Sequence, residues 1–349
     1  MYNPPRLTTH DSRLTTTRSA PCTASPSSSC PTRAATPCSP WVEDVFAAIG
    51  DRHDLRLLDF DRPIAPQFAG VDVVIDHGGE RGNRAMADAA NLAENKVKLW
   101  QVLGTGVDHF DLEHWRSLAI PVANCPGQYS AVALGECAML FILLLARQYT
   151  VTQANLRQGV MYTPLGRELT GLKLGIVGFG ASGKELARRA RAFGMAIAAI
   201  DVRDISAAEV REFGLAYAGK PDALDYVTLE SDVLSLHLHL DATTRHIIDA
   251  RRLGMMKRSA WLINVARGAL VDEAALREAL LAGQLGGAGL DAFSQEPPDP
   301  NDPLFSLPNV VATPHIAGTT NGTSWGRAQC VAENAGSHRR RLPPLHRVA

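Results

Sequence analysis

The chain of 349 residues is 46% hydrophobic and 20% charged, and its 35 lysines and arginines nearly match its 36 aspartates and glutamates. A net charge of -1 offers no basic field for nucleic acid or an anionic membrane, and the longest apolar run, residues 137–146, is too short to span a bilayer. The length suffices for two domains with separate cores.

Residues 1–40 are rich in Ser, Thr, Pro and Arg, with Asp11 their only acid and no apolar period, which reads as a disordered leader. The scarcity of acids also suits a transit peptide, but no amphipathic helix supports one, and a mis-assigned start or altered reading frame is a third reading. From Trp41 the chain alternates helix and strand. Residues 41–49 are helical; 55–58, 71–75, 98–102 and 121–124 read as strands, the second ending at His77-Gly78-Gly79 and the third at Gly104-Thr105-Gly106. A long apolar helix spans 130–149. A second series follows, with strands at 174–177, 196–200, 233–240, 261–266, 289–290 and 310–312 and a helix over 183–193. Two β-α series imply two parallel sheets and two α/β domains, with a ligand cleft between them. Among six cysteines without a CxxC pair, Cys125 and Cys137 read as reduced intracellular thiols, and the protein as cytoplasmic.

The stretch "LGIVGFGASGKELARRARAFGMAIAAID" places Gly178-x-Gly180-x-x-Gly183 between an apolar strand and a helix. Asp201 ends the next strand, eighteen residues beyond Gly183. This is the context a dinucleotide turn requires: glycines for the tight turn and the close approach of pyrophosphate, a helix N-terminus for its charge, and an acid for the ribose hydroxyls. Asp201 would repel a 2′-phosphate, which favours NAD. Arg203 and Lys184 pull the other way, because a cation just past Asp201 could help hold that phosphate.

Three further segments fall at strand ends of the second series. "INVARGALVDEAAL" carries Arg267, "GLDAFSQEPP" carries Asp291 and Glu296, and "VVATPHIAG" carries His315 and Gly318. In an open parallel sheet all would face the crevice outside the strand ends. An arginine fork matches a carboxylate. A histidine whose free pKa lies near neutral can donate a proton, and a glutamate beside it would orient the ring and favour imidazolium. His237 and His239 alternate on one strand and suggest a metal only weakly; no third ligand has obvious spacing, so none is expected.

With these motifs in one order, residues 41–320 resemble the D-isomer-specific 2-hydroxyacid dehydrogenases. The resemblance implies an α/β fold of two doubly wound parallel-sheet domains, a Rossmann NAD-binding domain inserted in a flavodoxin-like substrate domain. It divides the chain into 41–130 with 322–349 for the substrate and 131–321 for the coenzyme, with 130–149 as the interdomain helix. It implies catalytic roles for Arg267, Glu296 and His315. It sets the coenzyme against Gly178, Gly180, Ala181, Ser182, Gly183, Asp201, Val265, Ala266, Arg267, Asp291, His315 and Gly318. It sets a 2-oxo or 2-hydroxy acid against Gly78, Gly79, Gly104, Thr105, Gly106, Arg267 and His315, and it implies a homodimer. The implied activity is hydride transfer between NAD(H) and a D-2-hydroxy acid. Two alternatives stay open: an NADPH-preferring glyoxylate or hydroxypyruvate reductase, and a non-catalytic NAD-sensing binding protein of the same fold. The ends depart from the pattern. The strand implied just before Trp41 falls in a proline-rich stretch, and the last helix is expected to break at Gly336, leaving the substrate domain weakly held.

Overall fold

Residues 41–77, 82–92, 96–339 and 342–349 are described by a computed structural model of the chain. The expected leader, the strand implied before Trp41, and Gly78 and Gly79 lie outside the described residues.

After helices α1 (Trp41–Ile49) and α2 (Ile64–Gln67), three parallel strands form a small sheet in the order β1 (Val73–Asp76), β2 (Leu99–Val102), β3 (Val122–Ala123), linked by α3 (Arg84–Ala90) and α4 (Leu112–Ser117). Side chains alternate across a strand, so Val73, Ile75, Leu99 and Ala123 meet Val45 and Ile49 of α1. Val74, Trp100 and Val122 face the other way, toward Met86, Ala87 and Trp115.

Helices α5 (Ala131–Ala146) and α6 (Tyr149–Arg157) lead to the larger sheet. Its seven strands are β4 (Lys173–Val177), β5 (Ala196–Ile200), β6 (Leu215–Gly219), β7 (Val233–Leu236), β8 (Trp261–Asn264), β9 (Gly287–Leu290) and β10 (Val310–Ala312), in the order β10-β9-β8-β7-β4-β5-β6. Around them lie α7 (Ala181–Ala192), α8 (Ala207–Phe213), α9 (Leu224–Glu230), α10 (Ala250–Met255) and α11 (Glu273–Leu281). One face packs on α5 and α7 through Phe141, Ile142, Leu186 and Ala190. The other packs on α9 to α11 through Val227, Leu253, Leu276 and Leu280. The order reverses between β4 and β7, and that switch point opens a crevice at the carboxyl ends of the strands. Among the described residues no single helix is long and apolar enough to cross a membrane; α5 and α6 pass such a test only as a pair bent by 54°.

Several expectations are corrected. Residues 55–58 form no strand: Leu55 and Leu58 turn into different clusters, and Leu57 is exposed. β6 follows Gly214 and consists of Leu215, Ala216, Tyr217, Ala218 and Gly219, too weakly apolar to announce itself. The helix expected over 130–149 breaks at Gln148, which adopts the left-handed region at φ 45° and starts a second helix. The strand read as 233–240 stops at Leu236, where the chain leaves the sheet at the switch point.

The last helix does not break at Gly336. Helix α12 (Asn321–Arg339) runs through it. A glycine costs a helix about 1 kcal/mol, and burial of Ala328, Cys330, Val331 and Ala335 outweighs that. The buried Asn334 donates to Gln101 Oε1 at 2.5 Å and to the Leu345 carbonyl at 3.1 Å, and accepts the Leu345 N–H at 2.7 Å. Beyond it the chain end runs antiparallel to β3, with Val348 donating to the Val122 carbonyl at 2.7 Å. The tail therefore completes the small unit, contrary to the expectation of a weakly held one.

Candidate active site

The crevice begins at the glycine turn after β4. Gly178 has φ +96°, and a Cβ there would lie 2.4 Å from the His237 carbonyl. A Cβ on Gly183 would lie 2.3 Å from the Gly178 carbonyl, so only glycine lets the helix start this close to the strand. Gly180 faces open space and precedes α7 as a cap without a side-chain hydrogen bond. The unpaired N–H groups of that helix end suit a pyrophosphate. Ser182 is bonded to His237 Nδ1 at 3.0 Å, and His237 Nε2 meets Ser235 Oγ at 3.0 Å. Burial pushes the His237 pKa down to about 4. A neutral ring with both nitrogens engaged props the glycine turn and leaves no nitrogen for a metal.

Asp201 follows β5 and accepts the N–H groups of Phe179 at 2.6 Å and Arg203 at 3.0 Å. The two cations that cloud the coenzyme choice share one acid. Lys184 Nζ is 2.6 Å from Glu209 Oε1, and Arg203 Nη1 is 3.0 Å from the same oxygen. Glu209 also closes the capping box of α8 with Ser206, and its carboxyl is held well below the usual range by Lys184 first and then Arg203. The glycine turn, the open helix end and Asp201 fit a dinucleotide without a 2′-phosphate.

Beyond β8, Asn264 fixes the exit of the chain. It accepts the Ala266 N–H at 3.1 Å and donates to the Arg267 carbonyl at 2.8 Å. Val265 and Ala266 are buried under this turn. A Cβ on Gly268 would lie 1.8 Å from the Phe293 backbone, so glycine lets the turn pass the 293–294 segment. Arg267 then reaches across to the small unit. Its Nε donates to Asp108 Oδ1 at 3.1 Å, and its Nη2 sits where a Cβ on Gly106 would be, 1.6 Å away. Burial raises the Asp108 pKa, but the charge and hydrogen bond of Arg267, with a backbone hydrogen bond, together outweigh it and leave the carboxyl below its ordinary value. Beside it, Gly104 accepts the Cys125 N–H at 3.1 Å, and the Thr105 carbonyl accepts Asn124 Nδ2 at 2.7 Å.

Glu296 and His315 meet directly, with His315 Nδ1 2.7 Å from Glu296 Oε2, and Glu296 Oε1 accepts the Phe293 N–H at 3.0 Å. The hydrogen bond to Glu296 raises the His315 pKa against the opposing effect of burial. Burial pushes Glu296 up, yet the bond and charge of His315 hold it below its ordinary value. His315 adopts φ 54°, a left-handed conformation that costs a non-glycine residue free energy. Asp291 holds the turn in place from below. Fully buried, it accepts Thr313 Oγ1 at 2.5 Å and the N–H groups of Ile316 and Ala317 at 2.8 Å each. Its carboxylate thus serves the turn that carries His315. Gly318 ends that turn against Ser130 and Leu134 of the α5 start.

The structure brings Arg267, Glu296 and His315 to one end of the crevice, where the Arg267 charge acts on both of the others. Asp108, Asn264, Glu209 and Ser235 escape a sequence reading, whereas Ser182 was expected at the coenzyme. Asp108 stands 159 positions from its partner, two residues past the Gly104-Thr105-Gly106 turn. A separate cavity of ≈ 340 Å³ between Tyr149, Arg167, Trp261 and Asn309 lies at the opposite strand ends and takes no part in this site.

Residues 139–317 match the family model described as D-isomer specific 2-hydroxyacid dehydrogenase, NAD binding domain. A hydroxypyruvate reductase of Thermotoga maritima is 37% identical over 254 residues, 72% of this chain and 79% of that protein. A glyoxylate reductase of Thermococcus litoralis is 40% identical over 256 residues, 70% of this chain and 75% of that protein. A solved D-lactate dehydrogenase of Aquifex aeolicus, complexed with NAD and lactic acid, superimposes with a TM-score of 0.76 at 25% identity, covering 92% of this chain and 96% of that one.

Proposed function

The chain belongs to the D-isomer specific 2-hydroxyacid dehydrogenase family, and from that membership we propose how its residues divide the work of an NAD-dependent reduction. The enzyme transfers a hydride between NAD(H) and a D-2-hydroxy or 2-oxo acid. Residues 41–130 with 322–349 form the substrate domain, and 131–321 the coenzyme domain, joined through α5.

Bound NADH supplies the hydride. The 104–106 loop offers backbone N–H groups to the substrate carboxylate. Arg267 offers a planar fork, and the carboxylate replaces Asp108 as its partner. His315, kept protonated by Glu296, gives its Nε2 proton to the carbonyl oxygen as the hydride reaches C2. The 2-oxo acid leaves as the 2-hydroxy acid, and His315 is left neutral for reprotonation from solvent. Asp201 receives the ribose hydroxyls, and Glu209 withholds Lys184 and Arg203 from a 2′-phosphate.

The protein is further assigned as a cytoplasmic homodimer. Free thiols at Cys125, Cys137 and Cys330 suit a reducing compartment. Leu156, Met161, Tyr162 and Leu165 expose apolar side chains on and after α6, Tyr162 at 101% and Leu165 at 93%, a surface that a second copy would cover.

The observation that carries the catalytic reading is the Glu296–His315 pair at 2.7 Å within electrostatic reach of Arg267. Loss of NADH absorbance with a panel of 2-oxo acids tests it, with the product resolved on a chiral column. Turnover to the D-isomer is expected. NADH binding without turnover of any 2-oxo acid would mark a binding protein and overturn the reading.

A further inference from the structure

Arg327, half-buried on α12, is a cation that meets no carboxylate among the described residues. Its Nε has no hydrogen-bond partner, and no ion pair reaches its guanidinium among the described residues. Among the described residues, the Cys125 thiol and the Arg267 guanidinium act on its charge, and its own charge acts on His77. The Trp41 ring lies 5.2 Å from the guanidinium carbon. A ring face attracts the cation but accepts none of the in-plane N–H bonds.

Its surroundings share the same defect. His77 Nε2, Thr105 Oγ1 and Ser324 Oγ are buried and without partners. His77 follows β1 and stands edge-on to Trp41 at 5.9 Å. Thr105 follows β2, next to the glycine that Arg267 touches. Ser324 lies one turn before Arg327 on α12. Burial first, and the Arg327 charge second, push His77 down to about 4, so its ring is a neutral hydrogen-bonding group. Buried polar groups are normally satisfied, and a buried unpaired charge is costly. Arg327 and His77 share the Trp41 ring, Ser324 lies one turn before Arg327 on α12, and Thr105 adjoins the Gly106 that Arg267 touches, so these unsatisfied groups line the elements that meet Arg267.

We propose that Arg327, with His77, Thr105 and Ser324, forms a second anion subsite, and that the substrate is a 2-oxo acid carrying another anionic group at its far end, a carboxylate or a phosphate. This rests on the reduction proposed above. Arg267 and the 104–106 loop take the carboxylate beside the carbonyl, and Arg327 takes the tail.

The test is steady-state reduction by the full chain at saturating NADH. Pyruvate and hydroxypyruvate serve as neutral-tailed substrates, oxaloacetate and 2-oxoglutarate as carboxylate-tailed ones, and 3-phosphohydroxypyruvate as the phosphate-tailed one. Wild type should favour an anionic tail in kcat/KM by on the order of 10- to 100-fold, and which tail wins identifies the anion. Arg327→Gln should collapse that selectivity, chiefly through KM for the anionic-tailed acid, and Arg327→Lys should restore part of it. Wild type that favours neutral tails overturns the proposal whether or not the variants fold. So does an Arg327→Gln enzyme whose kcat/KM falls equally for both classes, which marks Arg327 as structural. Absence of turnover with every acid overturns the reduction itself, and this subsite with it.

Discussion

Protonation of one imidazole decides how the reduction responds to pH. Because the bond to Glu296 raises the His315 pKa, the acid form persists above the ordinary histidine range, and kcat/KM for reduction should fall only as pH rises through that raised value. Glu296→Gln removes the charge that favours imidazolium, so the alkaline limb should move to lower pH and reduction at neutral pH should drop by about tenfold or more. An unmoved limb in that variant would detach Glu296 from the proton donor. The same pair links folding to pH. A raised histidine pKa contributes stability below its unfolded value near 6.5, and that contribution is lost as pH rises through the folded value.

Arg267 and Glu209 make contrasting predictions at the same scale. Arg267→Lys keeps the charge but loses the fork, and kcat/KM should fall by about two to three orders of magnitude. Wild-type kcat/KM would leave Arg267 as the Asp108 ion pair and nothing more. Glu209→Gln retains a side chain that can close the capping box with Ser206, yet it frees Lys184 and Arg203. NADPH affinity should then rise roughly tenfold relative to NADH, read from coenzyme fluorescence without substrate. An unchanged ratio would leave Asp201 as sole arbiter. Residues with motif neighbours, such as His315 beside Pro314, were legible in the sequence. Asp108 was not, because its partner Arg267 lies far away in the chain; Glu209 was not, because the fold brings Lys184 to it beside the nearby Arg203; and Arg327 was not, because the Trp41 ring reaches it only in the fold.

Elements were legible where burial imposes a period. β4 and β8 are apolar runs closed by a glycine or a fixed turn, and their ends fall within a residue or two of the reading. β6 was invisible because Ala216, Ala218 and Gly219 carry little hydrophobic signal, while 55–58 looked like a strand and has no ladder partner among the described residues. The terminal helix shows the reverse case. Gly336 lowers intrinsic propensity, and a polar residue, Asn334, supplies the compensation by joining α12 to β2 and to Leu345. Asn334→Leu should leave Gln101 Oε1 and the Leu345 backbone unpaired in a buried site, at a cost of about 2–4 kcal/mol. Differential scanning calorimetry should show a lower melting temperature for the variant, and an unaltered one would mean that α12 is held by its apolar face alone.

At the scale of the whole molecule, the small unit is closed by residues that enter it last. The chain leaves after β3, builds the coenzyme unit, and returns through α12 to pair its end with β3. Val122 donates to the Ala349 carbonyl at 3.1 Å, Asn124 donates to the His346 carbonyl at 3.2 Å, and Arg116 Nη2 donates to the Val348 carbonyl at 3.0 Å. Val348 and Ala349 also cover the face that holds Trp100 and Trp115. None of this was readable from a proline- and arginine-rich tail, since edge pairing needs only backbone groups and a few apolar side chains. Removing residues 345–349 uncovers the edge of β3 and strips the Leu345 anchor from Asn334. The truncated chain should therefore melt in two steps, the small unit first, and KM for the oxo acid should rise while NADH still binds, because the glycine turn and Asp201 sit on the other sheet. Calorimetry with and without NADH separates the two transitions. A single transition at the wild-type temperature would show that the tail contributes nothing, and a joint loss of both units would show that they fold as one.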